Sequence, residues 1–160
     1  MRSWPTPVIL SKTGAPCDVL EPKPALTEPD KDKITSLRAT VSAAMTAEAV
    51  GREAGEAYPA VLATAVMITY MERACARAML PLLEDGQMTV GVKFEIAHFN
   101  PTPVGADFVT FCRYLHREKA LYWFEVWCED GAGLVGKGRH ARAVVHRAEI
   151  EATAGQRRST

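Results

Sequence analysis

Glu72 is the residue of this chain whose surroundings point most directly to chemistry. It lies in a mostly apolar stretch, residues 59–83, whose charged residues are Glu72, Arg73 and Arg77. At about 100° per helical residue the two arginines form one polar edge, and Glu72 lies about 100–140° away from both. A carboxylate among apolar groups is costly unless it is paired, hydrogen-bonded or protonated, so such positions are candidates for an acid, a base or a nucleophile.

Two further residues could work with this carboxylate. Thr64 lies eight residues before Glu72, and His98 lies twenty-six residues after it. Glu72 could serve as a general base or as a nucleophile, His98 could polarise a carbonyl or transfer a proton, and Thr64 could position either group. Because eight helical residues span about 12 Å, Thr64 and Glu72 of one chain cannot touch within a regular helix. Either Thr64 lies in a bent lead-in or two subunits share the site.

Each of the three residues also has a purely structural interpretation. Glu72 could pair with an arginine such as Arg142, His98 could be a hydrogen-bonded residue at a strand end, and Thr64 could start a helix. His140 and His146 share strand parity with Arg142, but no carboxylate has the spacing to complete a metal site with them.

The composition favours an ordinary globular protein over several other classes. The chain has 160 residues, 48% of them hydrophobic, which suits one globular domain with a core. Nineteen Lys and Arg balance nineteen Asp and Glu, which disfavours nucleic-acid and membrane-surface binding. Neither a transmembrane segment nor a signal peptide is evident, so the expected location is the cytoplasm. The four cysteines form no CxxC pair, and we expect free thiols and no metal.

The pattern along the chain predicts three regions. Residues 1–35 hold six of the ten prolines and predict an extended arm, residues 36–150 form the folded domain, and residues 151–160 are a polar tail. Within the domain we expect a strand over 37–45, a short helix or lid over 46–58 and a long helix ending near Pro81. Four strands follow, over 88–98, 108–115, 120–129 and 134–146.

This order of elements predicts an α+β domain with the hot-dog fold. Consecutive antiparallel strands can bury one face on a single helix, and a helix that is apolar over most of its circumference must be wrapped. The expected architecture is a curved antiparallel sheet around one long central helix. A dimer would cover the sheet edges and the apolar face that carries Trp123 and Trp127.

Several segments together resemble hot-dog thioesterases of the fluoroacetyl-CoA thioesterase-like family. The resemblance covers roughly residues 36–148, and its combined spacing is specific although no single segment is. The matching segments are Val61-Leu-Ala-Thr64, Met71-Glu-Arg-Ala74, Thr89-Val-Gly91, His98-Phe-Asn-Pro-Thr-Pro-Val-Gly105 and Gly136-Lys-Gly-Arg-His-Ala-Arg-Ala-Val144.

The resemblance implies roles for particular residues. Thr64, Glu72 and His98 match the family's catalytic positions, and Gly91 and Arg142 match positions that hold the acyl-CoA ligand. The two lid phenylalanines of the fluoroacetate-specific member fall at Gly55 and Tyr58 here, so a fluorine-recognising device is not expected, although Tyr58 stays a candidate for substrate binding. The family's usual proline after the threonine is replaced by Ala65.

The resemblance further implies a homodimer that hydrolyses short acyl-CoA thioesters without a metal or other cofactor, coenzyme A being part of the substrate. Our main hypothesis is such a hydrolase, acting on an acyl group carried by coenzyme A or by an acyl carrier protein. Two alternatives stay open at this point. One is a non-catalytic hot-dog module that binds an acyl thioester, and the other is a hot-dog hydratase or other lyase.

Overall fold

A computed structural model of the chain describes residues 27–51 and 57–158. Most of the predicted arm over 1–35, and residues 52–56 of the predicted lid, lie outside the described residues. The division into arm, domain and tail stays a prediction.

The described residues form five strands and three α-helices. In chain order they are β1 (Ile34–Thr40), α1 (Ala47–Gly51), α2 (Thr64–Met79), β2 (Gln87–His98), β3 (Asp107–Glu118), β4 (Leu121–Asp130), β5 (Gly133–His146) and α3 (Arg147–Arg157). The strands form one antiparallel sheet in the order β1-β3-β4-β5-β2, and α2 packs on one face of it. This confirms the predicted α+β architecture with one central helix.

The core lies between α2 and the concave face of the sheet. Residues of α2 spaced three and four apart are buried, as expected when one side of a 3.6-residue helix faces a sheet. Strand residues two apart close the core from the other side, because alternate side chains share a face. The buried set includes Met67, Met71, Ala74, Cys75 and Met79 from the helix and Phe108, Cys112, Phe124, Val126 and Cys128 from the sheet.

The first strand ends earlier than predicted. It was expected over 37–45, but β1 stops at Thr40, and residues 43–45 form a turn of 3-10 helix. The backbone N–H of Met45 donates to the carbonyl of Ser42, which takes the chain out of the sheet. The reason is local, since a serine readily starts a helical turn and competes with strand pairing.

Most of the segment predicted as a polar tail, residues 151–160, is helical where the structure describes it. Helix α3 runs across the predicted boundary at residue 150 and continues to Arg157. Glu149 lies in its first turn and Arg157 in its last, the placement that the helix dipole favours. Among the described residues no helix is long and apolar enough to cross a membrane.

A β-bulge in β2 changes which side chains face the helix. The pairing with β5 shifts register between Gly91 and Lys93, so Val92 is an extra residue. A bulge offsets the alternation by one position. Unbroken alternation along the predicted strand over 88–98 would place Val90 and Val92 on the same face as His98. The bulge turns Val90 to the other face, and Gly91 takes the helix-facing position instead.

Candidate active site

Thr64 and His98 form a hydrogen-bonded pair at the start of α2. Thr64 is the first residue of the helix, and His98 is the last residue of β2. The Oγ1 atom of Thr64 lies 2.8 Å from Nδ1 of His98, and Nε2 of the same ring lies 3.0 Å from the backbone oxygen of Asn100. Because a carbonyl oxygen only accepts, Nε2 carries the proton and Nδ1 accepts the hydroxyl proton of Thr64. This pair can relay a proton.

The segment before α2 is held by backbone hydrogen bonds. The N–H of Leu62 donates to the carbonyl of Thr102, and the N–H of Ala63 donates to that of Met45. Ala63 is extended, so the helix starts at Thr64, and Thr64 does not lie in a bent lead-in. The first N–H groups of a helix have no partner within it, and they favour negative charge at this end.

Glu72 of α2 forms an ion pair with Arg142 of β5, whose partner across the strand pair is Gly91 of β2. Its Oε1 lies 3.1 Å from Nη1 of Arg142, whose side chain is 4% exposed while that of Glu72 is 37% exposed. The guanidinium also donates to the hydroxyl and carbonyl of Thr89 at 2.9–3.1 Å. Arg142 is thus a buried cation held by several acceptors, and it fixes one carboxylate oxygen of Glu72.

His140 is a further hydrogen-bond partner of Arg142. Its Nδ1 lies 2.9 Å from the carbonyl oxygen of Lys93, and its Nε2 lies 3.1 Å from Nη1 of Arg142. The ring therefore donates through Nδ1 and accepts from Arg142 through Nε2, which requires the neutral form. Burial, and then the charge of Arg142, lower the pKa of His140 from 6.5 to about 4.

Gly91 provides the space for the Glu72 carboxylate. A Cβ atom at Gly91 would lie 2.5 Å from Oε1 of Glu72 and 3.1 Å from both the His140 ring and the Phe94 ring. Only a residue without a side chain allows the carboxylate to approach the strand this closely. This gives the predicted ligand-site glycine a defined physical role beside Glu72.

The predicted site residues thus fall into two clusters within one chain. The first pairs Thr64 with His98, and the second joins Glu72, Gly91 and Arg142. Eight helical residues, about 12 Å, separate the clusters along α2. The ring of Tyr58, six residues before Thr64, is 38% exposed and lies against Gly51 of α1. Gly55 lies outside the described residues.

Among the residues that the structure describes, neither a metal-ligating group nor a reactive thiol offers a second centre. Within residues 27–51 and 57–158 no group of three or more His, Cys, Asp or Glu side chains could hold a metal ion. The cysteines at 75, 112 and 128 are free and buried. Burial raises the pKa of the Cys75 thiol and raises that of Cys128 to about 12, so both are poor nucleophiles.

Sequence reasoning missed three contributors to these clusters. The contact of Thr89 with Arg142 was hidden by the bulge, because simple alternation places Thr89 on the outer face of β2. The parity of His140 with Arg142 was visible, but it gave no sign of the hydrogen bond between them. Asn100 contributes through its backbone oxygen, so its side-chain type carries no signal.

Comparison with known proteins identifies one family. A model of the family described as fluoroacetyl-CoA-specific thioesterase matches residues 41–148. The fluoroacetyl-CoA thioesterase of Streptantibioticus cattleyicolor is 34% identical over 100 residues, which cover 62% of this chain and 72% of that protein.

Solved structures agree with the sequence comparisons. A fluoroacetyl-CoA thioesterase superposes with a TM-score of 0.75 at 28% identity, covering 82% of this chain and 97% of the other. A variant of that enzyme bound to fluoroacetate and CoA gives 0.69 at 30% identity, covering 74% and 96%. A hot-dog-like protein from Thermanaerovibrio acidaminovorans gives 0.70 at 22% identity, covering 78% and 90%, which supports the hot-dog fold.

Proposed function

We propose that this chain, which belongs to the fluoroacetyl-CoA-specific thioesterase family, hydrolyses the thioester of a small acyl group carried by coenzyme A. Water adds to the carbonyl carbon, the carbon–sulfur bond breaks, and the products are the free acid and the thiol of coenzyme A. No step requires a cofactor.

The observation that carries this proposal is the arrangement of the Glu72 carboxylate. Its Oε1 is fixed by Arg142, while Oε2 makes no hydrogen bond within the part of the chain that the structure describes. The side chain is partly exposed, so Oε2 is open to a water molecule or a thioester carbonyl. We propose that Glu72 either takes a proton from the attacking water or attacks the carbonyl itself and forms an anhydride that water then cleaves.

The Thr64–His98 pair, contributed by a second subunit, would serve the other side of the same carbonyl. The Thr64 hydroxyl can give its proton to Nδ1 of His98 while it takes the proton that the water molecule releases, so no alkoxide is left. The imidazolium so formed can return a proton by the same path to the leaving thiolate. The unpaired N–H groups at the start of α2 are suited to stabilise the oxyanion. We propose Thr64 for positioning and His98 for polarisation and proton transfer.

We infer that the acyl group is small but is not specifically fluoroacetyl. The two lid aromatics that the resemblance associates with fluoroacetate correspond to Gly55 and Tyr58, so one of them is lost. Coenzyme A is the proposed carrier because the family acts on its thioesters, and an acyl carrier protein is tested as the alternative.

The experiment that tests the proposal measures thiol release from short acyl-CoA thioesters. We expect release by the wild type, loss of at least about 100-fold in Glu72→Gln, and no change in Glu151→Ala, an exposed acid of α3. Glu72→Gln keeps the shape of the side chain, so its loss reports chemistry rather than folding. Normal turnover by Glu72→Gln would contradict the proposal, as would binding of acyl-CoA without any thiol release by the wild type.

We further propose that the protein acts in the cytoplasm. We also propose that its active form is a homodimer joined through β2. This strand has twelve residues, and among residues 27–51 and 57–158 it pairs only with β5, so we propose that its other edge binds a second copy. Antiparallel pairing of two copies about a twofold axis between Phe94 and Glu95 would place Gly91 of one opposite His98 of the other. The Glu72 cluster of one subunit would then meet the Thr64–His98 pair of its partner on the same face of a continuous sheet.

A further inference from the structure

We propose that Phe94 selects the acyl group, because its ring forms an apolar wall beside Glu72 that limits the length of the acyl chain. This inference rests on the proposed function, since it concerns the substrate of the same site. It assigns a role to a residue that neither the sequence pattern nor the resemblance singled out.

Phe94 occupies an unusual place for a large apolar side chain. It lies on β2 and is 38% exposed, so it is not part of the core between α2 and the sheet. Its ring stacks on His140, with the two centroids 4.1 Å apart and the planes 14° from parallel. Since His140 is fully buried and bonded through both ring nitrogens, it is a rigid platform for Phe94.

The Phe94 ring and the Glu72 carboxylate converge on the same point. That point is the Cβ position that Gly91 leaves vacant, which lies 2.5 Å from Oε1 of Glu72 and 3.1 Å from Cζ of Phe94. The edge of the ring is therefore next to the carboxylate. An acyl group whose carbonyl carbon reaches the Glu72 carboxylate would therefore lie within reach of this ring.

The position of the ring predicts what it does to the substrate. A short acyl group can place its one or two carbons against the ring edge and gain apolar contact. A longer chain meets the ring itself, and the ring can retreat only by giving up its stacking on His140. Contacts of this kind separate substrates that differ by a methylene by about tenfold or more. Phe94 should therefore favour short acyl groups over long ones.

The test compares kcat/KM for acetyl-, butyryl- and hexanoyl-CoA across variants. We expect Phe94→Ala to raise the hexanoyl-to-acetyl ratio at least about tenfold, with a smaller rise in Phe94→Leu. Ile34→Ala is the matched control, because Ile34 is an exposed apolar residue on the opposite edge of the sheet and should leave the ratio unchanged. If Phe94→Ala changes all three substrates by the same factor, Phe94 has no selective role.

A binding measurement separates this inference from the proposed hydrolysis. S-alkyl coenzyme A thioethers of two, four and six carbons cannot be hydrolysed. Because the coenzyme A part is the same in all three, the differences in affinity measured by calorimetry report the acyl site. We expect wild-type affinity to fall with chain length and the fall to flatten in Phe94→Ala. If this occurs without thiol release from acyl-CoA, the selective role stands and hydrolysis fails. If thiol is released but chain-length preference is the same in Phe94→Ala, hydrolysis stands and the selective role fails.

Discussion

At the scale of single residues, the position of the Glu72 carboxylate depends on the absence of a Cβ atom at Gly91. A Cβ at Gly91 would lie 2.5 Å from Oε1, which is the far end of a flexible side chain and can move away without disturbing the fold. We therefore expect Gly91→Ala to fold normally but to displace the carboxylate. A displacement of about 1 Å at a reacting group can cost about 100-fold in rate, so thiol release should fall by roughly that factor.

The matched control for Gly91→Ala is Gly131→Ala in the turn between β4 and β5. A Cβ there would meet nothing within 4 Å, and Gly131 does not adopt a positive φ. Its thiol release and its thermal midpoint should equal those of the wild type. A Gly91→Ala protein with full activity would show that Glu72 need not lie against the strand.

His140 gives the molecule a predictable response to acid. Burial and the charge of Arg142 hold the pKa of folded His140 at about 4, whereas the unfolded imidazole titrates near 6.5. Between these values the unfolded chain binds a proton that the folded chain does not. The free energy of unfolding must therefore fall as the pH drops from 6.5 to 4, by at most about 3 kcal/mol from this residue.

Urea unfolding at pH 7 and pH 4.5 measures this contribution. We expect His140→Gln to lose much less stability between the two pH values than the wild type does, because its amide can accept from Arg142 but does not titrate. The exposed His116 provides the control, and His116→Gln should keep the wild-type pH dependence. Equal losses in wild type and His140→Gln would contradict the assigned neutral state.

At the scale of elements, the sequence predicted the strands and the central helix well because each has a strong period. Alternation located β2 to β5 within a few residues, and the apolar stretch located α2. The bulge in β2 was not predictable, because Val92 fits the alternation as well as any strand residue. Its consequence is large, since Thr89 and Gly91 face the Glu72 cluster only because the alternation slips there.

The sequence predicted which residues belong to the site but not which of their side chains are in contact. Periodicity and the resemblance named Thr64, Glu72 and His98, yet neither could show which of them touch. Those contacts depend on distances between elements far apart in the chain, such as the 34 residues between Thr64 and His98. The hydrogen bonds of a buried arginine likewise follow from packing, which a single sequence does not encode locally.

Gly138, like Gly91, leaves no room for a Cβ atom, but the atoms that crowd it belong to the backbone of the neighbouring strand. It lies in β5 between Ile96 of β2 and Val126 of β4. A Cβ there would overlap the backbone oxygen of Glu95 and lie 2.8 Å from Cα of Ile96. Backbone atoms cannot move aside without breaking the pairing of the two strands. We expect Gly138→Ala to lower the free energy of unfolding by about 2 kcal/mol or more in urea titrations.

The same control distinguishes a specific clash from the general effect of replacing glycine. Gly131→Ala adds the same methyl group in open space and should leave the midpoint of unfolding almost unchanged. If Gly138→Ala were as stable as Gly131→Ala, the close approach of β2 to β5 at this point would be refuted.

At the scale of the whole molecule, a dimer joined through β2 would explain both the open edge of that strand and the separation of the two clusters. Each chain holds a carboxylate cluster and a hydroxyl–imidazole pair that lie too far apart to act on one carbonyl. Both clusters border β2, and the strand has no partner on its outer side among the described residues. A twofold pairing of β2 strands would satisfy the edge and complete two sites at once.

Mixed dimers test this sharing of the site. Two differently tagged chains, one Glu72→Ala and the other His98→Ala, are co-expressed and the heterodimer is purified. If each site takes Glu72 from one chain and His98 from the other, one site of the heterodimer has both defects and the other site is intact. We then expect about half of the wild-type thiol release, although each mutant homodimer is inactive. If each chain carried its own complete site, both sites of the heterodimer would hold one defect and release would stay at the mutant level. Pairing Glu72→Ala with the Glu72→Ala, His98→Ala double variant is the control, because no arrangement of those two chains restores a carboxylate.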